Sequence, residues 1–300
     1  MISMGVIQWF PGHMAKARRI LAENLSNVDV VVELCDARIP YSSRNPEIIK
    51  VIGNKPSVMV CNKADLADPV MSDFWKRYYK EKGIEAVFTD SRKGDGVKKV
   101  TAAIKNAMAE KIKRQEEKGR INAQIRAMIV GIPNVGKSSF INRVAGKALA
   151  VTGDKPGVTR SKQWLKMDSN IYLLDTPGLL WPKIEDQRCG YRLACTGAIK
   201  EDILDNTDIA CFLLEFLQEA YPDALRERFK IPADCGALER VELLELCGRK
   251  RGCIIKGGEV DLVRTAAVVL DEFRAGKMGR ISLDTERALE PIDMAEEQEL

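Results

Sequence analysis

The sequence predicts an α/β protein: a doubly wound parallel sheet followed by a small all-helical region. Three observations carry this. Apolar runs rich in β-branched residues alternate with helical patterns as far as Trp181, a glycine-rich turn joins one such run to a helix, and the strand pattern stops after Trp181. Alternation of this kind lays helices on both faces of a parallel sheet. At 300 residues the chain has room for two domains.

Along the chain, helical spacing covers Met14–Leu25. The run Val28–Cys35 (VDVVVELC) then lacks polar alternation, as a strand covered on both faces does. A short helix over Pro46–Ile52, a strand over Ser57–Cys61, a helix over Ser72–Lys82 and a strand over Glu85–Thr89 follow. A long helix is expected over Gly96–Glu117. Its last part merges with Lys111–Arg120 (KIKRQEEKGR), almost wholly polar and therefore a frayed end and connector. The strand Ile125–Gly131 leads into a helix over Lys137–Ala145, and Gln163–Met167 and Ile171–Leu174 are the last strands. Beyond them Asp205–Glu219, Ala237–Leu246 and Val260–Phe273 have helical spacing; Val263, Ala266, Ala267 and Leu270 follow i, i+3, i+4, i+7. The stretch Asp284–Leu300 holds seven acids against one arginine and is expected to be a disordered tail. The expected domains are thus residues 1–182 and 183–283, with the tail at 284–300. No fixed-period repeat is present, which excludes solenoids and propellers.

Hydrophobic residues make up 45% and charged residues 30%, which excludes a wholly disordered, collagen-like or fibrous chain. No apolar stretch reaches the ~18 residues of a membrane span, and Met1–Phe10 lacks the pattern of a secretory signal. The eight cysteines are scattered and form no C-x-x-C pair, as expected of reduced thiols in a cytoplasmic protein. Cys189/Cys195 and Cys247/Cys253 have the wrong spacing for zinc. The net charge of +4 conceals an asymmetry. Residues 1–200 carry 34 basic against 20 acidic side chains, and residues 201–300 carry 13 against 23. A basic body suits approach to a polyanion, although basic surfaces also serve solubility.

The chemistry is concentrated in short motifs. Gly131–Ser138 (GIPNVGKS) fits G-x-x-x-x-G-K-[ST] between a strand and a helix, the context that gives this motif its meaning. Its backbone N–H groups, Asn134, Val135 and Gly136 among them, can wrap a phosphate chain, with Ser139 at the start of the helix. Lys137 brings a positive charge to the β- and γ-phosphates, and Ser138 a hydroxyl to Mg²⁺. Asp175–Gly178 (DTPG) begins 38 residues after Lys137. Asp175 suits a Mg²⁺ partner acting through water, and the Gly178 N–H suits the γ-phosphate. Asn62–Lys63–Ala64–Asp65 follows the strand SVMVC. The Asp65 carboxylate can accept both the ring N–H and the exocyclic amine of guanine, Asn62 can brace the loops, and the Lys63 stem can cover the base. Ser91, Arg92 and Lys93 are candidates to complete that pocket with backbone N–H groups. Within Pro156–Arg160, Thr159 can close over the γ-phosphate and lend its hydroxyl to Mg²⁺, with Gly153 and Gly157 giving the loop its freedom.

These are the parts of a guanine-nucleotide domain, in an altered order. Ras-like GTPases run phosphate loop, threonine switch, DxxG, NKxD and serine loop; here NKAD and DSRK precede GIPNVGKS, PGVTR and DTPG. The sequence therefore resembles the circularly permuted GTPases. With Trp9–Ala17 (W-F-P-G-H-M-x-K-A) and Asp36–Pro40 (D-A-R-x-P) it is similar, more narrowly, to the bacterial ribosome biogenesis GTPase A family. The resemblance implies a Ras-like P-loop GTPase domain in permuted order, with a helical domain following the DTPG switch.

The resemblance further implies a monomeric, Mg²⁺-dependent GTPase of the cytoplasm that binds GTP and GDP and assists late assembly of the large ribosomal subunit through its rRNA. Leu179 stands where Ras-like proteins place a water-orienting glutamine, so hydrolysis is expected to be slow or to use another group. His13, the only histidine, reads either as a surface or capping residue or, by the resemblance, as the group that positions water. Asn134 reads either as a turn asparagine or, as in potassium-stimulated relatives, as a ligand of K⁺ beside the phosphates. Two rivals stand beside this reading. A P-loop kinase has no use for a guanine pocket. A nucleotide-gated RNA-binding module with little intrinsic hydrolysis would fit Leu179.

Overall fold

The computed structural model describes residues 12–119, 123–146, 164–181, 184, 186–199, 205–231 and 238–290, with side chains from Arg18 onward. The chain forms two compact units that divide between Lys183 and Ile184.

The first unit is built on a six-stranded sheet: β1 (Val30–Asp36), β2 (Ser57–Asn62), β3 (Ala86–Thr89), β4 (Ile125–Gly131), β5 (Trp164–Lys166) and β6 (Ile171–Asp175). The strand order is β3-β2-β1-β4-β6-β5. All neighbours are parallel except β5, which lies antiparallel on the edge beside β6. β1 is central, with Val32 level with Val58 on one side and Ile129 on the other. Every residue of β1 is buried, which explains its unbroken apolar run. Cys35 and Cys61 are register partners in this layer, and burial pushes both thiols up, so they remain protonated.

Helices α1 (Gly12–Leu25), α2 (Pro46–Ile52), α3 (Pro69–Glu81), α4 (Val97–Ala107), α5 (Ala109–Glu116) and α6 (Lys137–Ala145) complete this unit. Asn45 and Asp68 cap α2 and α3, each before a proline suited to the first helical position. The single helix expected over Gly96–Glu117 is two, because Met108 adopts φ −105° and ψ 6° and breaks it. α5 has no buried residue, in keeping with its polar sequence. The strand order reverses between β1 and β4, whose following loops part in opposite directions. Crevices of α/β sheets open at such a point, at the carboxyl ends of the strands.

The second unit holds α7 (Gln187–Cys195), α8 (Asn206–Ala220), α9 (Pro222–Phe229), α10 (Arg240–Arg251) and α11 (Leu262–Arg274). Its core joins Leu213, Leu214 and Leu217 of α8, Leu243, Leu244 and Cys247 of α10, and Ala266, Val269, Leu270 and Phe273 of α11. Arg228 and Arg251 meet the buried Glu272 at 2.6 and 2.8 Å. The helical patterns at 205–219, 237–246 and 260–273 correspond to α8, α10 and α11, while α7 and α9 were not expected.

The expected disordered tail needs correction at its start. Asp284 is fully buried 3.4 Å from Arg192, and Glu286–Leu289 form a 3₁₀ turn. An ion pair out of water anchors residues whose composition alone reads as disorder. Residues 291–300 of the expected tail lie outside the described residues. Among the described residues no disulfide forms, and no helix is long and apolar enough to cross a membrane.

Candidate active site

Among the described residues, the motifs lie at the carboxyl ends of β1, β2, β3, β4 and β6, which share one end of the sheet. The phosphate loop leaves β4 at Gly131 and enters α6 at Lys137, with Asn134 (φ 59°) and Gly136 (φ 91°) in left-handed conformations. A Cβ at Gly136 would lie 2.4 Å from Asn62 Nδ2, so only glycine fits there. Val135 is buried beneath the loop, while Ser138 and Ser139 are half-buried in the first turn of α6. First-turn N–H groups have no partner within their own helix, and together with the helix dipole they form an anion cradle.

Lys137 folds its ammonium onto the carbonyls of Gly131 and Ile132, 3.0 Å from each. Burial pushes its pKa down to about 8, with the charge of Asp175 acting the other way. Burial raises the Asp175 carboxyl, against the pull of Lys137. Its Oδ1 is buried without a hydrogen-bond partner. A buried carboxylate oxygen in this state suits a hard cation. No group of three or more His, Cys, Asp or Glu among the described residues could hold a metal. The donor set at Asp175 and Ser138 instead fits Mg²⁺ completed by phosphate and water oxygens.

Asn62 joins the loops. Its Nδ2 donates to the Val135 carbonyl at 2.9 Å, and its Oδ1 accepts from the Ser91 N–H at 3.1 Å and the Ser91 hydroxyl at 2.6 Å. Lys63 (φ 63°) turns away from the strand and donates to the Asn134 carbonyl at 2.6 Å. Asp65 is half-buried on the same loop. The Arg92 and Lys93 N–H groups, expected to face a base, bond the Asp90 carboxylate at 2.8 and 3.2 Å. Together with the Ser91 N–H on Asn62, they shape the serine loop from within.

Gly178 packs against the phosphate loop. A Cβ there would meet the Pro133 backbone nitrogen at 3.1 Å and Cα at 3.2 Å. Next to it, the Leu179 N–H donates to the Gly131 carbonyl at 3.1 Å. The Leu179 side chain is buried, so it lies in the core. His13 falls in α1, but its side chain lies outside the described residues, as do Thr159, Gly153, Gly157 and the segment Trp9–Pro11.

Several supporting residues have no motif-level signal of their role. Asp36 accepts Arg38 through Nε (3.0 Å) and Nη2 (2.8 Å), and meets Lys63 Nζ at 2.9 Å. Burial alone would raise the Asp36 carboxyl, but the two cations hold it well below the usual carboxylate range. Arg143 of α6 donates to the Ser91 carbonyl at 2.9 Å. Asn45 donates to the Leu179 carbonyl at 2.7 Å. D-A-R-x-P is visible in the sequence, but the partner of its aspartate is not.

Comparison with known proteins finds related sequences and structures. The family described as "50S ribosome-binding GTPase" matches residues 126–233. Ribosome biogenesis GTPase A of Priestia megaterium is 51% identical over 282 residues, covering 93% of this chain and 96% of that protein. The protein of the same name from Bacillus cereus is 50% identical over 283 residues, covering 93% and 94%. Among solved structures, GNP-bound YlqF from T. maritima matches with a TM-score of 0.62 at 26% identity, covering 90% of this chain and 97% of that one.

Proposed function

Because the chain belongs to the ribosome biogenesis GTPase A family and is a GTPase, we propose that it binds the large ribosomal subunit and promotes its late maturation. The observation that carries the site is Asn62, which bonds the phosphate loop and the serine loop from the loop that holds Asp65. A guanine reader built into the phosphate cradle is what a GTP-selective switch needs. In this reading Asp65 selects guanine, the Gly136–Ser139 backbone and Lys137 hold the phosphates, and Gly178 and Thr159 sense the third phosphate. Mg²⁺, held by Ser138, Thr159 and Asp175, would neutralise charge developing between the β- and γ-phosphates. In the same reading Asn134 shares K⁺ beside them.

Hydrolysis is slow in the free protein, since Leu179 cannot orient water, and is stimulated when the subunit brings His13 into play. GTP orders the switches and the helical domain engages rRNA; hydrolysis then releases the factor. The basic residues 1–200 favour a phosphate-rich partner. The protein acts in the cytoplasm as a monomer, without a membrane. Sedimentation of the full chain with large subunits tests the whole reading. Pelleting should be strong with a non-hydrolysable GTP analogue, weak with GDP, and reduced by salt. Equal pelleting in all nucleotides, or at low and high salt, contradicts it. The buried Leu179 also suits a second reading, an RNA-binding module gated by nucleotide with little intrinsic hydrolysis. Turnover unaltered by subunits would favour that one.

A further inference from the structure

Asn45 lies between the loop that leaves β1 and the start of α2, and its amide is used at both ends. Its Oδ1 accepts the Glu47 and Ile48 N–H groups at 2.9 and 3.4 Å, which caps α2. Its Nδ2 donates to the Leu179 carbonyl at 2.7 Å, across 134 residues of sequence. A cap requires only the acceptor. The donor is therefore a separate feature, aimed at the segment that follows DTPG.

Both sides of this bond are fixed. On the Asn45 side, Arg44 reaches the buried Glu33 at 3.1 and 2.9 Å. The Ser43 hydroxyl donates to the Ile39 carbonyl at 2.6 Å and accepts the Asp36 N–H at 3.1 Å. On the other side, the Thr176 hydroxyl donates to the Ile129 carbonyl at 2.6 Å, and the Leu179 N–H to the Gly131 carbonyl at 3.1 Å. Gly178 thus stands between an anchor at Thr176 and paired anchors on Leu179. The Leu179 carbonyl is tied to Asn45 and its N–H to the phosphate loop.

We propose that Asn45 is a positioning residue for GTP hydrolysis, holding the Leu179 carbonyl so that the Gly178 backbone is correctly presented to the third phosphate. This rests on the γ-phosphate role proposed above for Gly178. The chain has no glutamine side chain at residue 179 to order the attacking water. The geometry of the backbone there matters correspondingly more, and Asn45 supplies it from the opposite side of the sequence.

Asn45→Asp keeps the capping acceptor, because a carboxylate caps as well as an amide, but sets an oxygen in place of the N–H against the buried Leu179 carbonyl, so the bond is both lost and opposed. In the full chain it should leave GDP affinity within about twofold of wild type. Single-turnover hydrolysis of GTP should slow about tenfold, and the affinity ratio of non-hydrolysable GTP analogue to GDP should fall. Asn45→Ser, another good cap that loses the amide donor, should behave alike, so the result does not depend on one variant folding. Wild-type hydrolysis and an unchanged affinity ratio in both variants overturn the proposal. So does an equal loss of GDP and analogue affinity in both, which marks a purely structural role. The ¹⁵N–H resonance of Gly178, followed in the wild-type chain, separates the premises, since alanine at 178 would keep the N–H and crowd Pro133 and Lys137. If GDP and the non-hydrolysable analogue leave that resonance at the same position, the γ-phosphate role of Gly178 fails by itself. If it shifts with the analogue alone while both Asn45 variants hydrolyse GTP at the wild-type rate, the Asn45 proposal alone fails.

Discussion

The base side and the third-phosphate side of the candidate site are held very differently. On the base side, the Asn62 amide ties three loops, Lys63 ties the phosphate loop and Asp36, and Asp90 ties the serine loop to itself. On the other side, the segment after Asp175 is held by the Thr176 hydroxyl, the Leu179 N–H and the Asn45 amide. The first arrangement is a mutually bonded network that includes the Lys63–Asp36 ion pair, and such networks are costly to rearrange. The second has few anchors, each breakable without exposing a charge. A switch that recognises one base always and a third phosphate sometimes needs this division.

The comparison can be broken from either side. The largest effect is expected from Asp65→Asn, which replaces one acceptor of guanine's paired donors. Preference should move from GTP towards xanthosine triphosphate, by up to ~10⁴ in the ratio of affinities. Unchanged preference in a direct binding assay would remove Asp65 as base reader. Next, on the phosphate side, His13→Ala should spare GTP affinity and lower subunit-stimulated kcat by about 10². Stimulated turnover within about twofold of wild type, at equal ribosome occupancy, would return His13 to a surface role.

Asn62→Ala should weaken GDP and GTP analogue equally, by roughly thirtyfold, since it strips partners from Val135 and Ser91 without touching the third phosphate. A selective loss of analogue would show that the two sides are not separate. The smallest effect concerns Lys137, whose pKa in the free protein is lowered to about 8. A bound phosphate chain favours the ammonium and raises that value, so binding takes up a proton above this pH. Affinity for GDP should accordingly fall about tenfold from pH 7 to pH 9. Calorimetry in buffers of different ionisation enthalpy measures the proton, and no uptake at pH 8.5 would count against it.

The strand-and-helix setting of the phosphate loop was legible because the loop is a contiguous motif, whereas the Arg92 and Lys93 N–H groups expected to face a base turn to Asp90. The phosphate loop sits between β4 and α6 as its pattern requires, and the unbroken apolar runs became the central strands. What escaped is what sequence spacing cannot encode. Asn45 followed by Pro46 announces a helix start, but nothing in that dipeptide reveals Leu179 as its second partner. Asp284 counts as one more acid in an acidic tail until Arg192 is seen beside it. α9 is short, and α7 carries a glycine and the buried Arg192 in its interior, which blur its helical pattern. The break at Met108 has no glycine or proline to mark it.

Hydrogen–deuterium exchange of the full chain, compared with GDP and with a non-hydrolysable GTP analogue, tests the division most directly. Peptides covering residues 57–66 and 86–92 should show equal protection with either nucleotide, and peptides covering residues 171–181 should gain protection only with the analogue. If the third phosphate protects the base loops as much as residues 171–181, or leaves residues 171–181 unchanged, guanine and the γ-phosphate are not read by separate halves of the site.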